Sequence, residues 1–157
     1  MKKPADLRAH LTRWVPDLAA NPDKLHVFVE KGHLATKVGA GLAFEYRYTL
    51  QLIITDFAES PDVLNVPLLV WLQTNQPDLL LDTEKRDRAI AFEAEILGND
   101  TIDLALTLEL SERVLVRAVT GGFECEHIGE PQLPDDAAGV RGWQSYLDSE
   151  VIATGNP

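Results

Sequence analysis

Four carboxylates on two neighbouring segments are the residues whose types and spacing could do chemistry. Glu93 and Glu95 alternate with apolar residues in one segment, and Asp103 and Glu109 do so in the next. Two close carboxylates can act as a general acid and base or bind a divalent cation. Like charges that face each other across a strand pair also destabilise it, by about 0.2–1 kcal/mol. The simplest interpretation is therefore a solvated acidic face, with the repulsion relieved by arginine or lysine side chains nearby.

The histidines and the single cysteine give no spacing typical of a metal site or an activated nucleophile. Cys125 and His127 are two residues apart, which places them on one face of a strand, but a single such pair is weak support for zinc. A packed thiol beside a surface imidazole is the simpler interpretation. The sequence contains no Ser–His–Asp signature, phosphate-binding glycine loop or dinucleotide fingerprint. We therefore expect no catalytic residue, no metal and no cofactor.

Charge and composition argue against several classes of binding partner and several cellular locations. The 157 residues include 25 acidic and 14 basic side chains, for a net charge of −11. Nucleic acid and anionic membrane surfaces should repel so acidic a chain. One cysteine cannot form an internal disulfide, the N-terminus lacks the apolar run of a signal peptide, and no stretch of about 18 apolar residues could span a membrane. These features predict a single cytosolic domain.

The two acidic segments are predicted to form one β-hairpin. In residues 89–97 and 101–110 the even-numbered positions are apolar, and Gly98-Asn99-Asp100 between them is a turn-forming triplet. Pairing across this turn places all the even-numbered apolar side chains on one face and the carboxylates on the other. A shift by one residue would break this agreement, so the pattern determines the register.

This register predicts specific neighbours. Phe92 should lie opposite Leu106 on the apolar face, and Glu95 should lie opposite Asp103 on the acidic face. We expect the Phe92–Leu106 pair to be buried beneath a helix over residues 61–75.

Two segments have the apolar spacing of amphipathic helices. The first covers residues 5–19, where Pro16 should bend or shorten the end of the helix. The second covers residues 61–75, with Ser60 as its N-cap and Pro61 at its first position. Both should cover the same face of a sheet.

The alternating segments predict an α+β fold, a mostly antiparallel sheet with two main helices on one face. The longest strand, FEYRYTLQLIITDF, exceeds the usual strand of about 5–6 residues. Two glycines, Gly121 and Gly122, indicate a second hairpin near the end of the domain. The predicted strands are 25–31, 45–56, 88–97, 101–111, 114–119 and 123–128.

The C-terminal part of the chain differs in composition from the rest. A linker over residues 131–141, rich in proline, aspartate and alanine, separates the domain of residues 1–130 from a tail of residues 142–157. The tail can form a small hairpin, which is too small to be stable alone and should dock. Trp143 and Tyr146 are its candidate docking anchors, either on another protein or on the chain's own domain.

Five blocks of the sequence occur in a characteristic order: NPDKLHVFVEKG (21–32), FEYRYTLQLIITDF (44–57), VPLLVWLQTNQPDLL (66–80), LSERVLV (110–116) and IGEPQLP (128–134). Together they resemble the phage tail completion protein R (GpR) family of contractile-tailed temperate phages and prophages. The resemblance implies a non-enzymatic virion protein that completes or terminates the tail at its head-proximal end and prepares it for head joining. It also implies a tail-terminator-like fold, contacts with tail tube or sheath and head–tail connector proteins, and, by analogy with tail terminators, a hexameric ring.

Alternatives remain for both the function and the acidic face. The chain could be a transient tail-assembly adaptor or chaperone, or a metal-dependent enzyme that uses Glu95 and Asp103. In a tail protein, the face of Glu93, Glu95, Asp103 and Glu109 could line a passage and repel DNA, or meet arginine or lysine on a neighbouring subunit. Of these two roles, the sequence narrowly favours the face that lines a passage over the face that contacts a neighbouring subunit. Assembly would take place in the host cytoplasm, before the protein enters the virion.

Overall fold

The fold is α+β, as the sequence predicts. The computed structural model describes residues 1–36, 42–98, 100–131, 143–147 and 150–155, the last two ranges by their backbone alone. The helices are α1 (Lys3–Trp14), α2 (Pro16–Ala20), α3 (Pro61–Asn75), α4 (Pro77–Leu81) and α5 (Thr83–Arg86), with a 3₁₀ turn over Pro22–Lys24. The strands are β1 (Leu25–Thr36), β2 (Phe44–Phe57), β3 (Ile90–Ile96), β4 (Ile102–Val119), β5 (Gly122–Ile128), β6 (Trp143–Leu147) and β7 (Glu150–Gly155).

The main sheet is antiparallel and has the order β1-β2-β4-β3. Strand β5 pairs with the second half of β4. Val114 of β4 pairs with Phe44 of β2 and also with His127 of β5, so β5 lies on the β4 edge opposite β2. Strands β3 and β5 therefore share one edge of β4 and follow each other along it.

The predicted hairpin register is confirmed. Phe92 pairs with Leu106, and Glu95 pairs with Asp103. The prediction of two separate strands over 101–111 and 114–119 was wrong, because β4 continues through residues 112 and 113 as one strand of 18 residues. Pairing with β2 runs from Ile102 to Val114 and holds the strand in one piece across the junction.

The helices pack on the even-numbered face of the sheet and bury its apolar side chains. Leu7 and Leu11 of α1 join Leu68 of α3 and Leu108 of β4 in one core cluster. Ser60 caps α3 by accepting a hydrogen bond from the Asp62 N–H at 3.3 Å. As predicted, proline shortens the first helix: α1 ends at Trp14, and the extended backbone of the next residue leads into the separate helix α2.

The predicted burial of Phe92 was wrong, although its register was right. Phe92 is 71% exposed and Ile96 is 85% exposed, while Leu106 on the neighbouring strand is 3% exposed. Alternation determines which face a side chain points to, but burial also requires a layer of structure above that face. The helices cover β2 and the first half of β4, and Ala94 between Phe92 and Ile96 is exposed as well.

The C-terminal strands β6 and β7 pair antiparallel with a bulge between Ser145 and Tyr146. The backbone of β7 lies against α1 and α3 of the same chain. Trp143 and Tyr146 lie in β6, and their side chains fall outside the described part of the structure. No described helix is both long and apolar enough to cross a bilayer.

Candidate functional site

The four predicted acidic residues lie on the face of the sheet opposite the helices. Glu93 pairs with Ala105 and Glu95 with Asp103, so these carboxylates cluster where β3 meets the start of β4. Glu109 lies further along β4 and pairs with Thr49 of β2. The structure therefore groups Glu93, Glu95 and Asp103 and leaves Glu109 apart from them.

Two of these carboxylates have local structural roles. Asp103 accepts the backbone N–H of Asp56 at 2.8 Å, where β2 departs from its register and Asp56 has a φ of 52°. Glu109 accepts the Thr49 hydroxyl at 2.8 Å. A backbone bond stabilises a left-handed residue at this irregularity. Asp103 therefore has a structural explanation that requires neither a metal nor proton transfer.

The acidic face lacks positive partners within the described residues. None of the salt bridges among residues 1–36, 42–98 and 100–131 includes Glu93, Glu95, Asp103 or Glu109. In the same ranges, no group of three histidine, cysteine, aspartate or glutamate side chains could hold a metal ion. Within the described residues, the face is therefore an acidic surface without a neutralising cation.

A different carboxylate, Glu112, forms a buried hydrogen-bonded centre that the sequence interpretation missed. Its side chain is 4% exposed. It accepts the Tyr48 hydroxyl at 2.6 Å and the backbone N–H groups of Lys2 and Lys3 at 2.6 and 3.3 Å. Those N–H groups open α1, so Glu112 on β4 caps the first helix of the chain and lies at the positive end of its dipole. We call Lys2, Lys3, Tyr48, Gln76 and Glu112 the N-terminal corner.

The pKa values of Glu112 and Tyr48 follow from these contacts. Burial by itself would raise the pKa of Glu112, but the Tyr48 hydroxyl, the Lys2 and Lys3 N–H groups and the terminal ammonium together lower it below its ordinary value. Burial and the neighbouring Glu112 carboxylate raise the pKa of Tyr48. Both shifts favour a charged Glu112 that accepts from a neutral tyrosine. His127 Nδ1 lies 3.2 Å from Glu112 Oε2 but outside hydrogen-bond alignment.

Gln76 closes the gap that β3 and β5 leave on their shared edge of β4. β3 pairs with β4 only as far as Leu108, and β5 pairs with it from Arg113 onward. Between them, Gln76 Oε1 accepts the Ser111 N–H at 3.1 Å and the Lys3 ammonium at 2.8 Å. A 2% exposed glutamine thus satisfies a backbone donor that would otherwise be buried without a partner.

One sequence signal could have indicated the N-terminal corner. Glu112 follows Leu104, Leu106, Leu108 and Leu110 at even spacing, so it occupies an apolar row of an unbroken strand. Ending the predicted strand at residue 111 hid this pattern. The sequence alone could not supply the donors, because Lys2 is 110 residues away in the chain.

An open cleft of about 280 Å³ lies beside this corner. Ligand sites usually enclose about 300–1,000 Å³ and are mostly apolar. The charged side chains of this cleft already have partners: Glu45 binds Arg47 at 2.8 Å, Lys85 lies 3.8 Å from Asp78, and Glu109 accepts the Thr49 hydroxyl at 2.8 Å.

Comparison with known proteins places the chain in a family. The model of the P2 phage tail completion protein R (GpR) family matches residues 1–131. The chain belongs to this family. The Tail completion protein R of Escherichia phage P2 is 39% identical to it over 153 residues, which cover 98% of this chain and 97% of that protein. No solved structure matches the chain.

Membership of the GpR family agrees with the character of the described surface. The phage P2 relative aligns over almost the whole of both chains, so the match extends past residue 131 toward the C-terminal end. The buried carboxylate of the N-terminal corner joins a helix to a strand, and the acidic face is open to solvent. A protein that acts by assembly needs such a stable body and accessible surfaces more than it needs a reaction site.

Proposed function

We propose that this chain is a non-enzymatic structural protein that completes the phage tail at its head-proximal end and readies it for joining to the head. The observation that carries the proposal is the 39% identity to a tail completion protein along nearly the full length of both chains. The protein would be made in the host cytoplasm and become part of the virion tail.

Its partners would be other copies of itself, the last ring of tail tube or sheath proteins, and the head–tail connector. A hexameric ring fits by analogy with tail terminators. The acidic face of Glu93, Glu95, Asp103 and Glu109 would then lie toward passing DNA or at a subunit contact. Trp143 and Tyr146 would anchor the C-terminal hairpin when the ring joins its neighbours.

Deletion of the gene provides the direct test. Cells that lack the protein should make filled heads and aberrant, unjoined tails, both visible by negative-stain electron microscopy. Complementation with the full-length chain should restore infectious particles. Normal infectious particles from the deletion strain would refute tail completion.

Two further measurements separate this proposal from its alternatives. Mass spectrometry of purified particles should detect the protein, whereas a transient adaptor or chaperone would be absent from them. Calorimetric titration with magnesium, manganese and zinc should show no tight binding. Tight binding that is lost in Glu95→Gln would instead support metal chemistry at Glu95 and Asp103.

A further inference from the structure

Three strands of the main sheet, β1, β3 and β5, have an outer edge without a partner among the described strands, and on β5 Glu126 already pairs with Arg117 at 2.7 Å. The order β1-β2-β4-β3 places β1 at one edge and β3 at the other. An edge strand presents a row of unpaired backbone N–H and C=O groups, which is a template for pairing with another chain. Soluble proteins usually protect such edges with lysine, proline or a covering segment. Strand β3, Ile90–Ile96, contains neither lysine nor proline.

Both edges expose apolar side chains on the side of the sheet that carries the helices. On β3 these are Phe92 and Ile96, 71% and 85% exposed. On β1 they are Val29 and Leu34, 39% and 59% exposed, which pair with Leu50 and Tyr46 of the inner row of β2. The apolar row of the sheet therefore continues past the helix layer at both ends.

The opposite side of the two edges differs in charge. On β3 this side carries Glu93 and Glu95. On β1 it carries Lys31 and His33, whose partners Thr49 and Arg47 belong to the outer row of β2. Within residues 1–36, 42–98 and 100–131, neither the two glutamates nor Lys31 forms a salt bridge. Strand β1 also contains Glu30, at the bulge between Val29 and Lys31, so β1 carries both signs of charge, whereas β3 carries acidic side chains alone.

We propose that β3 of one copy pairs edge to edge with β1 of a second copy of this chain. The pairing places apolar rows beside each other on the helix side, and on the other side it brings Glu93 and Glu95 beside the row that contains Lys31. Pairing β3 with β3 would bring Glu93 and Glu95 against themselves, and like charges across a ladder are unfavourable. Pairing β1 with β1 would leave Glu93 and Glu95 of β3 without a cation.

The contact uses two different surfaces, so it can repeat from copy to copy. A head-to-tail interface of this kind forms a ring if the rotation closes and a filament if it does not. The second copy would also bring its α1, which packs beside its β1, toward the exposed apolar row of β3. The inference rests on the proposed tail-completion role, because a ring at the tail end is where the contact would be used.

Two variants that each block one edge test this arrangement. Phe92→Lys blocks β3, and the double variant Val29→Lys/Leu34→Lys blocks β1. Leu81→Lys is the matched control, because Leu81 is 61% exposed but lies at the end of α4, outside both edges. Sedimentation velocity of the purified full-length chains, up to the highest soluble concentration, measures association. Far-ultraviolet circular dichroism and thermal melts establish that each variant is folded.

The wild type and Leu81→Lys should associate beyond a dimer as the concentration rises. Each blocked variant should stay monomeric, with association weakened about tenfold or more by the loss of a buried apolar contact. An equimolar mixture of the two blocked variants should form a dimer and nothing larger, since each contributes the edge that the other lacks. Self-dimers of either blocked variant, a mixture that stays monomeric, or a wild type that stays monomeric would overturn the proposal. A monomeric wild type would indicate instead that the β1 and β3 edges pair with a strand of another tail protein.

A charge exchange and a crosslink give independent measurements. Glu95→Lys should weaken association, and Lys31→Glu in the same chain should restore part of it. In a Cys125→Ser background, which removes the one exposed thiol, the double variant Glu95→Cys/Lys31→Cys should give a crosslinked ladder with a short bifunctional maleimide. If crosslinked products are absent both in solution and in purified tails, the pairing of β3 with β1 is wrong.

These outcomes are distinct from a failure of the proposed function. A monomeric chain together with unfinished tails in the deletion strain would overturn the β3–β1 contact and leave tail completion standing. Infectious particles without the protein would overturn tail completion, whatever the association state of the purified chain.

Discussion

The N-terminal corner and the β3 edge place carboxylates in opposite situations within one sheet. At the corner, Glu112 is buried and accepts from the Tyr48 hydroxyl and from the first N–H groups of α1. At the β3 edge, Glu93 and Glu95 are exposed without a cationic partner among the described residues. Phe92 of the same strand, an apolar side chain, is exposed as well. The polar groups of the corner find their partners within one chain, whereas the β3 edge exposes charged and apolar side chains that a second chain could contact.

This difference separates folding from assembly. Removal of a group from the corner should leave donors or apolar surface unsatisfied in the monomer. Removal of a group from the β3 edge should leave the monomer nearly unchanged and affect association instead. Equilibrium unfolding in urea at low protein concentration measures the first effect without the second.

The largest effect should come from Leu106→Ala, compared with Phe92→Ala on the opposing strand. Leu106 is 3% exposed, so its truncation should lower the free energy of unfolding by about 2–5 kcal/mol. Phe92 is its register partner but lies in solvent, and its truncation should change that free energy by less than about 0.5 kcal/mol. Equal losses of unfolding free energy in the two variants would mean that β3 is covered in the free monomer. The corner and the β3 edge would then not differ in burial.

Glu112→Ala should have the next largest effect. The Tyr48 hydroxyl would lose its acceptor, at a cost of about 1–3 kcal/mol, and α1 would lose its cap, at a cost of about 1 kcal/mol. A matched Glu93→Ala variant should be close to neutral in the same urea titrations. If Glu112→Ala were equally neutral, solvent would have to replace the carboxylate, and the corner would be open and not buried.

Acid should distinguish the two regions further. Because the folded-state pKa of Glu112 lies below its ordinary value of 4.5, the unfolded chain takes up the proton first as the pH falls. The stabilisation from Glu112 is therefore complete above that value and is lost as the pH falls through the folded pKa. Urea titrations at a series of pH values should show this loss in the wild type and not in Glu112→Gln. If the free energy of unfolding of the wild type and of Glu112→Gln fell equally with pH, the lowered pKa of Glu112 would be contradicted.

His10 adds a loss of stability that begins at higher pH. Burial lowers the pKa of His10 from its ordinary 6.5, although the Pro67 carbonyl opposes the shift. The unfolded chain again binds the proton first, so stability declines as the pH falls below 6.5 and before Glu112 contributes. Glu112→Gln should retain this earlier part of the curve, which serves as its internal control.

The smallest effect should come from Glu95→Gln. Loss of one charge from the Glu95–Asp103 pair should leave the monomer equally stable or stabilise it by about 0.2–1 kcal/mol. Asp103→Ala is the contrasting variant, because it removes the acceptor of the Asp56 N–H and should cost about 0.5–1.5 kcal/mol. A marked loss of stability in Glu95→Gln would indicate an internal ion pair or a bound metal.

Local pattern was sufficient for the parts of this fold that depend on neighbours in sequence. The period of two along residues 89–110, together with the Gly98-Asn99-Asp100 turn, predicted the hairpin register, and Ser60-Pro61 predicted the start of α3. The break after Trp14 followed from Pro16. These features come from backbone sterics and side-chain direction, which act over a few residues.

Burial and partnership were decided only by the tertiary structure. Which apolar row is covered depends on how far the helix layer extends, and this layer leaves Phe92 and Ile96 in solvent although their alternation matches that of Leu106. Glu112 continues the even-numbered row of β4, but its role depends on N–H groups at the other end of the chain. The sequence by itself thus determined the faces and the family resemblance. The packing of distant elements decided which carboxylate is structural and which edges are left open, because solvent exposure is a property of the whole assembled fold.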